Sequence, residues 1–507
     1  MKKLIFICCL LMSGTIIINA HEILAAIGKG DLPEVKKLVE RDPQLVNSRF
    51  HNGYTPLLFA ADNNKKEVAE YLLSKGAYID DVFMPYYGYT PITYGIMNGN
   101  IEMIKMLLKR GANIQYRTNL GENYLHFAAA HDRVDIAKYL IDCGIDINSV
   151  KNGGLTPMHI AAVFGRLDIA KLLVNKGANL NLKSKDGGTP LHFAAAARND
   201  KLADFLRHKG AKDIPREFPE YKGKYLGQKK PGKIPKAFIP EIFLDIYRTY
   251  SAPAFSPDHK EVFWTGYIMP GIRVTRIWWM REKDGKWTPP EVAPFSDYRS
   301  NSPAYSFDGK KLFFAAWRPL NGKTTTDSDL WVVEKQRGKW SEPRHLGSPP
   351  NKKGIHENNP LPAKDGTIYF SAFGSGTKGA EICKAKFING KYSECQSLNG
   401  LFVSDIADDC MDMDYIIFHT PYRKRTYGTE LFICFHKPDG IWTRPLYLGD
   451  KFHKGHASNF GKMSPDGKYF FFLQDISLYW VDASFIEDLR KEVQVQNNKP
   501  NKLRKEK

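Results

Sequence analysis

Between residues 156 and 174 apolar positions recur at helical spacing. Ile160, Ala161 and Ala162 give one short helix a face of small residues, and Leu167 to Val174 carries a second apolar stripe. Thr156-Pro157 predicts the start of the first helix: a threonine oxygen can accept from a free amide, and proline lacks an N–H that would be unpaired there. Gly177 predicts the end of the second. One such pair cannot bury its own apolar face, and its alanines allow close approach, so copies must stack. Thr55, Thr90, Asn123, Thr156 and Thr189 hold one position, at steps of 35, 33, 33 and 33 residues. Gly76-Ala77, Gly111-Ala112, Gly177-Ala178 and Gly210-Ala211 close four units, and Cys143-Gly144-Ile145 closes another.

The pattern then changes to short aromatic and β-branched runs after aspartate turns. Ser256-Pro257-Asp258 precedes Glu261 to Trp264, and Ser306-Phe307-Asp308-Gly309 precedes Leu312 to Phe314. Lys364-Asp365-Gly366, Asp412-Met413-Asp414 and Ser464-Pro465-Asp466-Gly467 stand before further runs. These are hairpin signals. A second hairpin follows most copies, turning at Arg337-Gly338, Asn389-Gly390 and Asp439-Gly440. Two hairpins make a four-stranded blade, the unit of a propeller. Five units are visible. The last shows three strands, and Ile242 to Tyr250 is the candidate for its fourth.

The first array resembles the ankyrin repeat in its period and in its Thr189-Pro190-Leu191-His192 core. The resemblance covers residues 21–212, with His21 to Phe50 as a degenerate first repeat. Leu58 and Thr93 replace the histidine kept as His126, His159 and His192, and Asn123-Tyr124 replaces Thr-Pro. The family implies a partner surface on the fingers and adjoining inner helices. Those turns carry His51, Tyr54, Phe83, Tyr86, Tyr87 and Tyr89, against Leu120, Glu122, Gly153 and Gly187 later. His51, Tyr54, Tyr86, Tyr87 and Tyr89 are therefore the candidate binding residues, since tyrosine joins rigid area to one polar group. The alternative is that some of these rings pack on neighbouring fingers. The second array, with the lead-in Tyr225 to Gly232, resembles the WD40-like repeats of Tol-associated periplasmic propeller proteins over residues 225–486. Its six-bladed relatives keep a sixth blade open beside the five counted. The fold class is a multidomain α plus all-β chain, an ankyrin α-solenoid followed by a five- or six-bladed β-propeller.

Lys2-Lys3, the apolar run Leu4 to Met12 and Ala20 read as a signal peptide cut near Ala20. The expected location is periplasmic or secreted, with no transmembrane segment in the mature form. The expected domains are a signal at 1–20, repeats at 21–212, a basic linker at 213–237, a propeller at 238–486 and a charged tail at 487–507. Much of the formal charge of +18 lies in Lys222 to Lys236 and in the tail. No nucleic-acid motif accompanies it. After signal removal Cys143, Cys383, Cys395, Cys410 and Cys434 remain. Cys383 and Cys395 flank the Asn389-Gly390 turn, either facing one another or unpaired. There is no Gly-x-Ser-x-Gly, phosphate loop, His-Glu-x-x-His or dinucleotide fingerprint. The repeat histidines and turn aspartates read as structural. Asp408, Asp409 and Asp412, in the densest acidic cluster, read as loop and turn, or as a cation site. The expectation is a non-enzymatic scaffold with protein partners, among them envelope proteins, and no cofactor. The alternatives are a propeller-type hydrolase acting on envelope glycans or peptides, and a secreted host-directed effector.

Overall fold

A computed structural model describes residues 22–50, 53–82, 88–185, 187–214, 218–239, 248–249, 251–267, 275–320, 322–323, 325–374, 381–398, 406–412, 415–421, 429–437, 442–452, 458–474 and 477–498. The signal stretch lies outside them. The chain divides into two compact units, residues 1–217 and 218–507.

The first unit is helical. Helix pairs follow one another: Pro56–Asp62 with Lys66–Ser74, Pro91–Asn98 with Ile101–Lys109, and Tyr124–Ala130 with Val134–Asp142. Pro157–Phe164 with Leu167–Asn175, and Pro190–Ala196 with Asp200–His208, complete the described pairs, after Leu32–Arg41. The starts are those the sequence predicts. Thr90, Asn123, Thr156 and Thr189 each accept from the amide three residues on, in a capping box. Gly177 is left-handed (φ 86°), and the Ala178 amide donates to the Leu173 carbonyl, which closes the outer helix. The small face is buried as the stacking argument requires: Ala128, Ala129, Ala161, Ala162 and Ala194 are all inaccessible.

The second unit is built of antiparallel sheets in a propeller-like arrangement. Four blades are made of consecutive strands. The first runs through Glu261–Tyr267 and Arg276–Lys283, and the second through Ser300–Tyr305, Lys311–Ala316 and Asp329–Gln336. The third contains Ile355–Pro362, Ile368–Gly374 and Glu381–Ala385, and the fourth Ile406–Asp412, Tyr415–Pro421 and Thr429–Phe435. The five or six blades expected from sequence go beyond these four. A further sheet is composite: Ser458–Met463, Tyr469–Gln474 and Ser477–Asp482 are joined by Lys236–Ala237. Lys236 pairs with Trp480 and Ala237 with Tyr479. Lys236–Ala237 takes the place expected for Ile242 to Tyr250, most of which lies outside the described residues. The described part of that stretch, Arg248–Thr249, pairs with Tyr267 and Gly266 in the first blade.

The aspartate turns share one network. The Ser256, Ser306 and Ser464 hydroxyls donate to Asp258, Asp308 and Asp466 at 2.5, 2.7 and 2.7 Å. Each serine oxygen also accepts the amide opening the next strand, at 2.9 Å from Glu261, Lys311 and Tyr469. The carboxylates are thereby held below the usual range, even against partial burial.

Two segments read from sequence as linker and tail are packed. Tyr225 is buried, its hydroxyl donates to Asp466 at 2.8 Å, and its ring meets Phe255, Tyr469 and Trp480. Phe238 lies against Phe255, Phe471 and Trp480. Residues 225–238 therefore supply core to this unit, where the reading of 213–237 had only a basic linker. Phe485–Asn498 is a helix whose Phe485, Ile486, Leu489 and Val493 pack on Phe435, Phe452 and Phe470. Those four residues recur at helical spacing within an otherwise charged stretch, the stripe that the tail reading passed over.

Candidate functional site

In the helical unit each finger is tied to the next. The Nδ1 of His126 lies 3.2 Å from the Asn123 backbone amide and 2.7 Å from the Asn123 Oδ1, and its Nε2 reaches the Leu155 carbonyl at 3.1 Å. His159 repeats this, with the Thr156 amide at 3.1 Å and the Gly188 carbonyl at 3.2 Å. Burial pushes His126 down to about 3 and His159 to about 4, so both are neutral at physiological pH. They are positioning groups between neighbouring repeats, as their spacing suggested. Where histidine is absent the tie changes: Leu58 is buried, and Thr90 shares a 3.0 Å hydrogen bond with the Tyr124 hydroxyl.

Charged residues staple the finger backbones. Arg49 donates to the carbonyls of Gly53 and Val82 at 2.9 and 3.0 Å, and Arg117 to those of Gly121 and Val150 at 3.1 Å. Glu122 and Lys151, both buried, form an ion pair at 3.3 Å, while Thr118 donates to the other Glu122 oxygen at 3.0 Å. Buried charges persist when paired and hydrogen-bonded in this way.

The candidate binding residues divide. His51, Tyr86 and Tyr87 lie outside the described residues. Tyr89 is only 4% exposed and stands edge-on to Tyr94 and Phe127. It is a core residue and not a finger-tip anchor, because the chain turns its ring under the neighbouring inner helix. Tyr54 is half-buried; its hydroxyl donates to Asp62 at 2.9 Å and its ring lies 5.8 Å from Phe59 and Tyr94. Packing thus accounts for both described tyrosines. Among the described residues of this unit, Tyr78 at 67% exposure and Val150 at 51% are presented instead. Their backbones are fixed: the Tyr78 amide donates to Asn47 at 2.9 Å, and the Val150 carbonyl accepts from Arg117. An apolar residue beside a turn was the available sequence signal, and the count of tyrosines drew attention elsewhere.

In the strand-rich unit Asp408, Asp409 and Asp412 fall on Ile406–Asp412, whose backbone is described but whose side chains are not. Among the described residues no group of three or more His, Cys, Asp or Glu is arranged to hold a metal. Cys383 and Cys395 are both free, and Cys383 is buried beside Phe370 and Ala372. Burial raises Glu357 to about 8; one of its oxygens accepts the Lys352 amide at 3.1 Å, and the other has no hydrogen-bond partner among the described residues. Glu357 as a whole is 1% exposed.

A family model described as ankyrin repeats matches three times, over residues 23–118, 87–151 and 125–216. This stretch is a stacked-repeat module of the kind that binds other proteins. The region carries ankyrin repeats, and the strand-rich unit follows them in the chain. Among the described residues no helix is long and apolar enough to cross a membrane.

Proposed function

We propose that this chain is an exported scaffold that holds protein partners on both units and performs no catalysis. The observation that carries the reading is the set of stapled ankyrin fingers presenting Tyr78 and Val150. Rigid backbones with exposed apolar side chains lower the ordering cost of an interface. The charged start, the apolar run Leu4 to Met12 and Ala20 support export with cleavage, and an envelope location for the partners. The serine–aspartate turns support a WD40-like propeller of the Tol-associated type. Contacts of Tyr225 and Phe238 with both the first blade and the composite sheet support that sheet as a fifth, ring-closing blade. A propeller-type hydrolase is the weaker alternative, since Glu357, the one strongly shifted carboxyl among the described residues, is buried. A host-directed effector would share the fingers and differ in destination.

The test is capture of a partner from envelope extract by the mature chain, compared with Tyr78→Ala and Val150→Asp. Both side chains are exposed, so melting temperature should stay near that of the parent. Capture of at least one protein should fall about tenfold, the effect of removing ~1.4 kcal/mol from an interface. Undiminished capture by both variants would remove the fingers from the reading. N-terminal sequencing of the mature protein should begin at or near His21; an intact Met1 would sink the export claim.

A further inference from the structure

Between the second and third blades a cleft of about 670 Å³ opens beside the turns at Asp308 and Gly366. Phe313, Val332, Leu346 and Pro362 give it an apolar wall. Its charged lining is four cations, Lys311, Arg344, Lys364 and Lys391, against the single carboxylate Asp308. Asp308 is already engaged by the Ser306 hydroxyl at 2.7 Å and the Lys310 amide at 3.1 Å. Glu334, from outside the lining, stands 3.5 Å from Arg344 and 3.6 Å from Lys311. Among the described residues Lys364 and Lys391 take part in no ion pair. Phe307 and Phe387, 49% and 45% exposed, mark the edges. The Lys364 ammonium lies 4.8 Å from the Phe307 ring centre and that of Lys311 5.9 Å from Phe387.

We infer that this cleft binds an acidic peptide segment of a partner protein, one that alternates carboxylates with apolar side chains. The surplus cations select a polyanion and steer its approach. The apolar wall and exposed rings give its apolar residues a place to be buried. A glycan fits less well, because sugar hydroxyls need many polar side chains and Ser306 and Asp308 already bond each other. The inference rests on the strand-rich arm of the scaffold reading and names the chemistry of that arm's partner.

The experiment is fluorescence anisotropy on the full mature chain with three labelled peptides of equal length: glutamate–leucine, glutamate–glycine and lysine–leucine. The first should bind at least about tenfold more tightly than either of the others, and added salt should weaken it. Lys364→Glu with Lys391→Glu, both at exposed positions, should reduce its affinity at least about tenfold and leave the melting temperature unchanged. Tyr78→Ala should leave it untouched, so failure here and failure of the finger reading are told apart. Equal binding of the glycine or lysine peptide overturns the proposal. So does binding that survives the charge reversals, or a sulfated polysaccharide that displaces the peptide without being displaced by it.

Discussion

His126 and His159 show how one side chain can join two repeats. Each closes the cap of its own helix and donates to a carbonyl 29 residues on. Protonation would put a hydrogen on the Nδ1 that now accepts an amide. The native state therefore resists the proton, holding His159 at about 4 against an ordinary value of 6.5. With the folded value depressed, the unfolded chain binds more protons between these two values, so stability rises with pH across that window. The contribution is fully present above pH 6.5, is lost progressively toward pH 4 and is flat below it. For a fully buried group it is on the order of 3 kcal/mol. Thermal melts of the intact chain, followed by the helical circular dichroism signal, should fall from pH 7 to pH 4. His159→Gln should melt lower at pH 7 and show a shallower dependence. A variant with the parent's slope would place the proton uptake elsewhere.

At the scale of elements, the finger depends on glycines with two distinct duties. Gly154 is left-handed (φ 75°), and a Cβ there would lie 3.0 Å from the Lys185 amide nitrogen and 3.1 Å from the Ser184 Cα. Gly177 is equally left-handed, yet a Cβ there would meet nothing within 4 Å. Gly177→Ala should cost only the backbone term, roughly 1–2 kcal/mol. Gly154→Ala adds a clash with the backbone of the next finger and should cost clearly more, about 2–4 kcal/mol with both terms together. Urea denaturation of the two variants measures the difference, and equal losses would mean that the fingers move apart freely.

For the whole molecule, what precedes the first blade decides whether the strand-rich unit stands alone. Lys236–Ala237 supplies the edge strand of the composite sheet, and Tyr225 and Phe238 fill the space between that sheet and the first blade. Losing a buried aromatic side chain costs about 3–5 kcal/mol, and two such losses approach the ~5–15 kcal/mol that holds a typical domain together. Residues 218–498 should fold as an isolated piece with a cooperative melt. Residues 241–498 should not. Cooperative unfolding of the shorter piece would show that the lead-in is dispensable.

The repeat period and the caps at Thr90, Thr156 and Thr189 were legible because local hydrogen bonding and helical spacing fix them, and the inter-repeat role of the histidines because the period sets each beside the next unit, whose carbonyl lies 29 residues on. The serine–aspartate turns were legible for the same reason, their bonds closing within about five residues. Sequence spacing carries no record of contacts between segments far apart in the chain. Tyr225 meets Asp466 across 241 residues, so a lysine-rich, proline-rich stretch looked like a spacer until the fold placed a ring on it. Tyr54 and Tyr89 looked spare beside their turns, and only the packing of adjacent inner helices turned Tyr89 into the core while leaving Tyr78 and Val150 outside. The cationic cleft is of the same kind: Lys311, Arg344, Lys364 and Lys391 belong to two blades, and the order of strands, which no local pattern specifies, brings them to one opening. Local periodicity and capping chemistry determined which elements form; burial between distant segments decided which side chains are left to bind.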